Sequence, residues 1–335
     1  MFDGSRALLA SRPRRVVAAL AVAVVVLTIS VTGVSKSAVA GATSKAPSGC
    51  GTTTPGTTTL SLNVNGFTRV VYVHIPLEQG DTSPLPLVLS LHGSGATAIG
   101  QSEFTGGNFA SDAEDFIVAY PQGLIPDGTG YDWNVPNVPL TGGRTVPKGA
   151  ANDVSFLTKL VGILESKYCV NPKMVYATGF SGGARMVSQL ACDDSTLFAA
   201  VAPVSGLRRP TPCPTKRAVP IISFHGSDDQ VDPFGGNGEA YWTYSVSTAA
   251  KDWAKQDKCK SKVATSAPAA GVTEFSYGGC KSGSAVELYE VMGEGHEWPG
   301  GPTLPASLVA ELGPQSSAIN ADKLMWAFFQ AHTLN

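Results

Sequence analysis

A single serine stands in a sequence context that could make it a nucleophile. The pentapeptide Gly-Phe-Ser-Gly-Gly at 179–183 follows the apolar run 174–178 and precedes a helix-like segment, 184–190. A serine hydroxyl is a poor nucleophile unless a sharp turn between strand and helix holds it beside a base. Flanking glycines relieve the crowding in such a turn, and the first helical N–H groups point to where an oxyanion would form. The pattern therefore predicts Ser181 as a nucleophile, with a structural strand–turn as the alternative.

A nucleophilic serine needs a histidine as its base. The chain contains five histidines, and only His296 lies in a turn-forming loop flanked by glycines, at 293–301. Such a histidine can reach across the edge of a sheet, and it follows the serine in the chain as this architecture requires. We expect His296 to be the base, with an ordinary surface-loop histidine as the alternative. The other four fall in strands, at strand ends or in the last helix-like segment: His74, His92, His225 and His332.

The acid that orients this base should lie between the serine and the histidine. The segment 225–233 follows a strand of buried character and carries three aspartates. Asp229 has the spacing to Pro233 that is seen in many hydrolases with this order of residues, so we expect it to orient His296. Asp232 is its main rival. Asp228 and Asp232 could instead cap the turn.

Two backbone N–H groups should stabilise the oxyanion. One is the N–H of Gly182, which follows the nucleophile, and the other is expected from Ser94 in the loop 92–95. This loop also matches the Gly-x-Gly-x-x-Ala fingerprint of dinucleotide-binding proteins. The candidate ribose-binding acid, Asp115, precedes its strand instead of ending it, and a lone fingerprint is a weak signal. We therefore expect no nicotinamide cofactor.

Several aromatic side chains could line a pocket for an aromatic acyl group or a sugar. They are Trp133, Phe234, Trp242 and Trp298, and for each of them a place in the core is the alternative. Trp298 stands two residues from His296, and Trp133 lies in the irregular segment 121–151. We expect these two to contact the substrate.

Strand-like and helix-like segments alternate after residue 60. This alternation predicts an α/β fold with a mostly parallel central sheet and helices on both faces. The segment 121–151 is rich in glycine and proline, too irregular for sheet, and is expected to roof a pocket. Strands are expected at 69–75, 85–91, 116–120, 174–178, 199–204, 219–224 and 285–291, and helices at 153–168, 184–190, 241–256 and 317–332.

The first forty residues resemble a targeting segment. Four arginines precede the apolar stretch 16–27, and an Ala-Val-Ala site follows at 38–40. This order predicts a secretory signal peptide over 1–40, with a membrane anchor as the alternative. A flexible lead-in rich in Thr, Ser, Gly and Pro is expected at 41–60, and a single catalytic domain at 61–335. The net charge of −2 disfavours nucleic acid as a partner, and we expect a secreted, extracellular monomer.

The chain has six cysteines and no Cys-x-x-Cys motif. An even number in an oxidising compartment suggests three disulfides, although about 15 pairings are open. The sequence-local choices are Cys192 with Cys213 and Cys259 with Cys280, which leaves Cys50 with Cys169. Each local bridge would close a loop of about twenty residues and stabilise the fold by about 3 kcal/mol. The missing Cys-x-x-Cys lowers the prospect of a zinc site.

Four blocks of sequence together resemble a known family. The segments 91–95, 176–186, 225–236 and 295–301 fall in the order found in the secreted polyhydroxybutyrate depolymerase and feruloyl or acetylxylan esterase group of α/β-hydrolases. The likeness covers about residues 60–335. It implies a triad of Ser181, Asp229 and His296, with no metal or cofactor. It also implies the two sequence-local disulfides.

The resemblance implies a serine esterase whose substrate is an ester. One fold and its lead-in account for the residues after the signal, and we see no second domain that would bind the surface of a solid polymer. This favours feruloyl or acetyl esters on plant polysaccharide as the substrate. Polyhydroxybutyrate is the close alternative, and a non-catalytic cell-surface binding module is a distant one. Two positions depart from the family pattern: Ser94 replaces a common cysteine, and Asp232 replaces an apolar residue.

Overall fold

The computed structural model describes residues 54–77, 83–260 and 262–334. The expected signal peptide, most of the expected lead-in and Cys50 lie outside these ranges. Among the helices that the structure describes, none combines the length and the apolar character needed to span a bilayer.

The described residues form twelve strands and seven α-helices. The strands are β1 (Gly56–Val64), β2 (Phe67–Ile75), β3 (Leu85–Leu91), β4 (Ile117–Pro121), β5 (Ile125–Asp127), β6 (Gly130–Asp132), β7 (Val170–Phe180), β8 (Ala200–Val204), β9 (Ile221–Gly226), β10 (Ala264–Ala269), β11 (Val272–Tyr277) and β12 (Val286–Val291). The helices are α1 (Ala98–Thr105), α2 (Gly107–Glu114), α3 (Asp153–Lys167), α4 (Gly182–Asp193), α5 (Val246–Gln256), α6 (Ala306–Leu312) and α7 (Ala321–Gln330).

Ten of these strands form one sheet, in the order β1-β2-β4-β3-β7-β8-β9-β12-β11-β10. The six strands from β4 to β12 in this order pair in parallel. Antiparallel strands complete the sheet at both edges. Because parallel strands need crossover connections, the helices between them cover the two faces. The fold is therefore the α/β arrangement that the alternation of segments predicted, with a mostly parallel central sheet and helices on both faces.

The two faces of the sheet carry separate hydrophobic cores. On one face, side chains of α3, α4 and α5, such as Leu160, Val187 and Trp253, pack in one cluster. On the other face, Trp326 and Phe329 of α7 pack in a second cluster. Successive side chains of β7 alternate between the two clusters, as the pleat of a strand requires. Burial on both faces explains why the central strands are almost continuously apolar.

Several elements differ from the sequence-based expectations. The first strand begins at Gly56, inside the expected lead-in, because its backbone pairs with β2 along its whole length. The segment 121–151 contains the hairpin β5–β6, which closes through the two-residue turn Gly128-Thr129, where Gly128 adopts a φ of 57°. Helix α5 begins at Val246, not at 241, since the Ser245 hydroxyl caps it by accepting from Thr248 N.

Disulfides tie loops to the ends of two helices. Cys192, near the end of α4, is bonded to Cys213, and Cys259, shortly after α5, is bonded to Cys280. Cys169 is also disulfide-bonded. Its expected partner Cys50 lies outside the described residues, so the pairing of these two stays a prediction.

A buried ion pair connects β2, α3 and the segment that follows β6. Arg69 Nη1 donates to Asp153 Oδ1 at 2.6 Å, and both side chains are almost fully buried. Arg69 also donates to the backbone oxygen of Gln122, and its guanidinium lies 3.7 Å from the centroid of the Phe156 ring. The second oxygen of Asp153 accepts from Asn134 N. Each charged group therefore has at least one further polar or aromatic contact besides its ionic partner.

We expect Arg69→Met to lower the free energy of unfolding by about 3–5 kcal/mol, because it leaves the Asp153 carboxylate buried without its cation. Replacing both residues, in Arg69→Met with Asp153→Leu, should cost less than the sum of the two single changes. Urea unfolding followed by circular dichroism measures the four free energies. The exposed Lys251→Met serves as the control and should change stability by no more than about 0.5 kcal/mol. Additive single effects would contradict this coupling.

Candidate active site

Ser181 occupies a sharp turn between β7 and α4. Its φ of 52° and ψ of −116° are unusual for a residue with a side chain, and its hydroxyl makes no capping bond to the helix that it precedes. The turn is possible because Gly183 lacks a Cβ, which would overlap the carbonyl oxygens of Leu91 and His92. The serine is thus held at the carboxyl edge of the sheet with its hydroxyl free of the helix cap. Strain of this kind is typical of functional sites.

Asp229 and His296 meet at the same edge. His296 Nδ1 donates to Asp229 Oδ2 at 2.7 Å, and both residues are almost fully buried. The other oxygen of Asp229 accepts from the backbone N–H groups of Val231 and Asp232, at 2.9 and 2.8 Å. The loop backbone therefore orients the carboxylate. Because Nδ1 carries the proton, Nε2 of His296 is left as a base.

A second histidine, His225, also contacts Asp229. Its Nε2 lies 3.2 Å from Asp229 Oδ2 and 2.7 Å from the backbone oxygen of Asp232. Both neighbours are acceptors, which assigns the proton to Nε2. The ring is fully buried and packs on Trp242, with 5.9 Å between the ring centroids. The Nε2–H group of His225 is therefore a further hydrogen-bond donor next to the Asp229 carboxylate.

The charges of this group reinforce one another. Burial by itself opposes ionisation of Asp229, yet the charge of His296 and the hydrogen bonds from both histidines hold its pKa well below the usual range. Burial likewise opposes protonation of His296, but the charge and hydrogen bond of Asp229 raise its pKa above the ordinary value. For Asp232 burial dominates and raises the pKa. Asp229 is thus the carboxylate that favours the ionised form.

The structure joins the three predicted triad residues to different degrees. Asp229 and His296 are hydrogen-bonded, and the residue before Ser181, Phe180, packs on His296 with 4.7 Å between the ring centroids. Over the described ranges, no hydrogen bond links the Ser181 hydroxyl to the imidazole. In enzymes without substrate, such catalytic bonds are often long and shorten when substrate binds.

The two expected oxyanion donors lie side by side. A Cβ built on Gly182 would be 2.5 Å from Ser94 Oγ and 3.1 Å from Ser94 N, so the two residues are in direct contact. The hydroxyl of Ser94 accepts from Thr141 Oγ1 at 2.9 Å, and Thr141 in turn accepts from Arg185 Nη2 at 2.7 Å. The Ser94 side chain therefore anchors the loop, and both its hydroxyl and its backbone N lie next to Gly182.

A cleft of about 230 Å³ opens next to these donors. Trp133 belongs to its wall and donates through its indole N–H to the backbone oxygen of His92 at 2.8 Å. Most of the wall comes from the segment that was expected to roof a pocket. The lining residues are Ser94, Trp133, Val135, Val138, Pro139, Leu140, Thr141, Gly182 and Arg185.

Three of the four candidate aromatic residues lie elsewhere. Trp298 is 1 % exposed and packs in the core beneath α7, where it borders a different cavity with Asp322 and Met325. The expectation that Trp298 contacts substrate is therefore not supported, because its side chain packs under α7 and does not line the cleft beside Ser94 and Gly182. Phe234 and Trp242 pack around His225.

Sequence reasoning missed several groups around the site. The pattern at 184–190 predicts only a helix, although Arg185 is the one basic residue of α4 and stands four positions after the candidate nucleophile. His225 precedes Asp229 by four residues, a spacing that could have indicated their contact. Glu294 and Glu297 flank His296, and all four of their carboxylate oxygens are buried without hydrogen-bond partners in the described part of the chain.

Comparison with known proteins identifies the family. No family model matches the chain. NocK of Nocardia uniformis subsp. tsuyamanensis, which is named as an esterase, is 31 % identical over 266 residues, covering 73 % of this chain and 75 % of NocK. The chain belongs to the α/β-hydrolase family of carboxylic ester hydrolases. Other relatives of this chain are named feruloyl esterase, acetylxylan esterase and poly(3-hydroxyalkanoate) depolymerase.

Two further matches show how far the likeness extends. Feruloyl esterase B of Piromyces equi is 31 % identical over 161 residues, which are 44 % of this chain but only 29 % of that protein. The acetyl xylan esterase from Aspergillus awamori superposes with a TM-score of 0.57 at 18 % identity, covering 82 % of this chain and 99 % of that one. The structural match supports the fold of the esterase.

We expect Asp229→Asn to lower kcat by about 10⁴-fold, because an amide in place of the carboxylate favours the wrong tautomer of His296. Asp232→Asn should lower kcat by less than about tenfold, since the side chain of Asp232 makes no hydrogen bond to either histidine. Steady-state hydrolysis of p-nitrophenyl acetate measures both variants. The reverse ranking would make Asp232 the orienting acid.

The glutamates beside His296 predict a pH-dependent stability. Burial, with the charges of Glu297 and Asp229, raises the pKa of Glu294 to about 9, and burial raises the pKa of Glu297 to about 7. The unfolded chain releases these protons near pH 4.5, whereas the folded protein retains them to higher pH. The free energy of unfolding should therefore fall as the pH rises from about 5 to about 9.

Glu294→Gln removes the larger of these penalties. We expect the variant to gain stability relative to the wild type, and the gain to grow between about pH 5 and pH 9. Urea unfolding at three pH values across this range provides the measurement. Glu311→Gln, a change of an exposed glutamate in α6, is the matched control. A gain that is the same at every pH would show that Glu294 does not retain its proton in the folded protein.

Proposed function

We propose that the esterase acts through an acyl-enzyme formed on Ser181. His296 Nε2 takes the proton of the Ser181 hydroxyl as its oxygen attacks the ester carbonyl, and Asp229 holds the imidazole tautomer. The N–H groups of Gly182 and Ser94 stabilise the tetrahedral oxyanion. Collapse of the intermediate returns the proton to the leaving alcohol and leaves an acylated serine. Water, deprotonated by His296, then releases the acid.

The observation that supports this proposal most strongly is the Asp229–His296 hydrogen bond. It joins a carboxylate that the loop backbone orients to a buried imidazole, at the end of the sheet where Ser181 and the two N–H donors also lie. A surface-loop histidine would have neither the burial nor the oriented acid. The chemistry needs no metal and no nicotinamide cofactor.

For the substrate we propose feruloyl or acetyl esters on plant cell-wall polysaccharide. Relatives named feruloyl esterase and acetylxylan esterase support this choice. The cleft beside the proposed oxyanion donors is lined in large part by apolar side chains, and we place the acyl group of the substrate there. A hydroxyalkanoate polyester is the second candidate, which the relative named poly(3-hydroxyalkanoate) depolymerase C supports.

We also propose that the esterase is secreted and acts outside the cell as a monomer. The signal-like pattern of residues 1–40 and the two disulfides between described cysteines support export to an oxidising compartment. Mass spectrometry of protein recovered from culture medium would locate the new N-terminus, which we expect at residue 41. Protein that keeps the first forty residues in the membrane fraction would favour the anchor.

We expect Ser181→Ala to lower kcat by about 10⁴-fold or more and to abolish labelling by a fluorophosphonate probe, because only an activated serine reacts quickly. Ser166→Ala, which changes an exposed serine of α3, is the control and should label like the wild type. A wild-type protein that neither labels nor hydrolyses esters would indicate a binding module. Side-by-side assays on methyl ferulate, acetylated xylan and polyhydroxybutyrate would then rank the substrates.

A further inference from the structure

The guanidinium of Arg185 is a buried cation, and not all of its N–H groups have hydrogen-bond partners among the described residues. The residue is 3 % exposed, and its Nη2 donates to Thr141 Oγ1 at 2.7 Å and more weakly to Ser94 Oγ at 3.4 Å. Its Nη1 is buried and has no hydrogen-bond partner in the described part of the protein. An unsatisfied buried donor on a charged group carries a larger energetic cost than one on a neutral group. A hydrogen bond to a bound ligand would offset this cost.

No carboxylate in the described ranges pairs with Arg185. The charge of Asp232 interacts with the guanidinium, but the two side chains form neither an ion pair nor a hydrogen bond. The Tyr241 ring lies 5.3 Å from the guanidinium carbon and offers its face, which stabilises the cation without using its N–H groups. The protein thus compensates the charge in part and leaves a donor uncommitted.

Of the guanidinium nitrogens, Nη2 lies nearest to Gly182, and besides its bond to Thr141 it makes only the 3.4 Å contact with Ser94 Oγ. Arg185 belongs to the lining of the cleft, and a Cβ built on Gly182 would lie 3.5 Å from its Nη2. Gly182 supplies one of the two oxyanion donors, so the guanidinium borders the space of the acyl group. Much of the remaining wall is apolar, including Trp133, Val135 and Leu140. An acyl group in this cleft therefore meets one cationic donor in apolar surroundings.

We propose that Arg185 selects substrates whose acyl group carries a hydrogen-bond-accepting oxygen besides the ester carbonyl. This inference rests on the proposed function, because it places the acyl group in the cleft beside Gly182 and Ser94. The acceptor is either a ring oxygen of a hydroxycinnamoyl group or the 3-hydroxyl of a hydroxyalkanoyl group. A plain acetyl group has no such oxygen and leaves the donor unsatisfied.

Two pairs of esters test the proposal and distinguish the two sources. Methyl ferulate is compared with methyl cinnamate, and p-nitrophenyl 3-hydroxybutyrate with p-nitrophenyl butyrate. Within each pair only oxygen substituents on the acyl group differ, so the ratio of the two kcat/KM values isolates their recognition. We expect the wild type to favour the oxygenated ester in at least one pair. That pair identifies whether the recognised oxygen belongs to a hydroxycinnamoyl or a hydroxyalkanoyl group.

In Arg185→Met this ratio should fall by about 10- to 100-fold, since a charge-assisted hydrogen bond is lost. Arg185→Lys keeps the positive charge but loses the planar guanidinium, so its ratio should lie between those of the wild type and Arg185→Met. If Arg185→Met does not fold, Arg185→Lys provides the test. Arg209→Met, a partly exposed arginine outside the cleft, is the matched control and should keep the wild-type ratio.

Different results would overturn different parts of the proposal. A wild type that hydrolyses all four esters without preference, or a ratio that Arg185→Met and Arg185→Lys leave unchanged, would contradict the role of Arg185 and leave the esterase mechanism intact. Equal losses on both members of a pair would assign Arg185 to loop positioning. A wild type that hydrolyses none of the esters and does not label at Ser181 would contradict the proposed function itself.

Discussion

The hydrogen bond between Asp229 and His296 depends on one pairing of strands. β9 and β12 run parallel with their last residues as partners, so the loops that follow them leave the sheet side by side. Backbone contacts then join the two loops: Asp228 N donates to Glu294 O, and Gly293 N donates to the Ser227 hydroxyl. The carboxylate and the imidazole meet across 67 residues of chain because the register of the sheet brings their loops together.

The elements that carry this geometry are the ones that local sequence predicts well. The range of β3 was predicted to the residue, and α3 within one residue, because a continuous apolar run and a capped amphipathic pattern are strong local signals. The hairpin of β10 and β11 was missed, since the first of these strands is exposed along most of its length and shows no alternation. Such an edge strand is defined by its partner, which a local pattern does not contain.

The side chains around the site also divide into those that local sequence predicts and those that depend on distant parts of the chain. The turn of Ser181 and the loop of His296 follow from glycine spacing, which constrains nearby backbone. The packing of Trp298 away from the cleft depends on α7, which is contributed from farther along the chain. Likewise, the contact between His225 and Asp229 needs the turn after β9 to fold back on the strand. Sequence spacing predicted which loops converge, and tertiary packing decided which of their side chains face inward.

One helix links the chemistry to the choice of acyl group. Helix α4 begins directly after Ser181, supplies the proposed oxyanion N–H from its first residue and carries Arg185 one turn further on. Arg185 also reaches Thr141, and Thr141 reaches Ser94, so the wall of the cleft, the second oxyanion loop and the nucleophile turn are connected through a single guanidinium. An oxygen that accepts from Arg185 Nη2 would join the hydrogen-bond chain through Thr141 that holds Ser94. The acyl group and the proposed oxyanion donor Ser94 N would then depend on the same set of contacts.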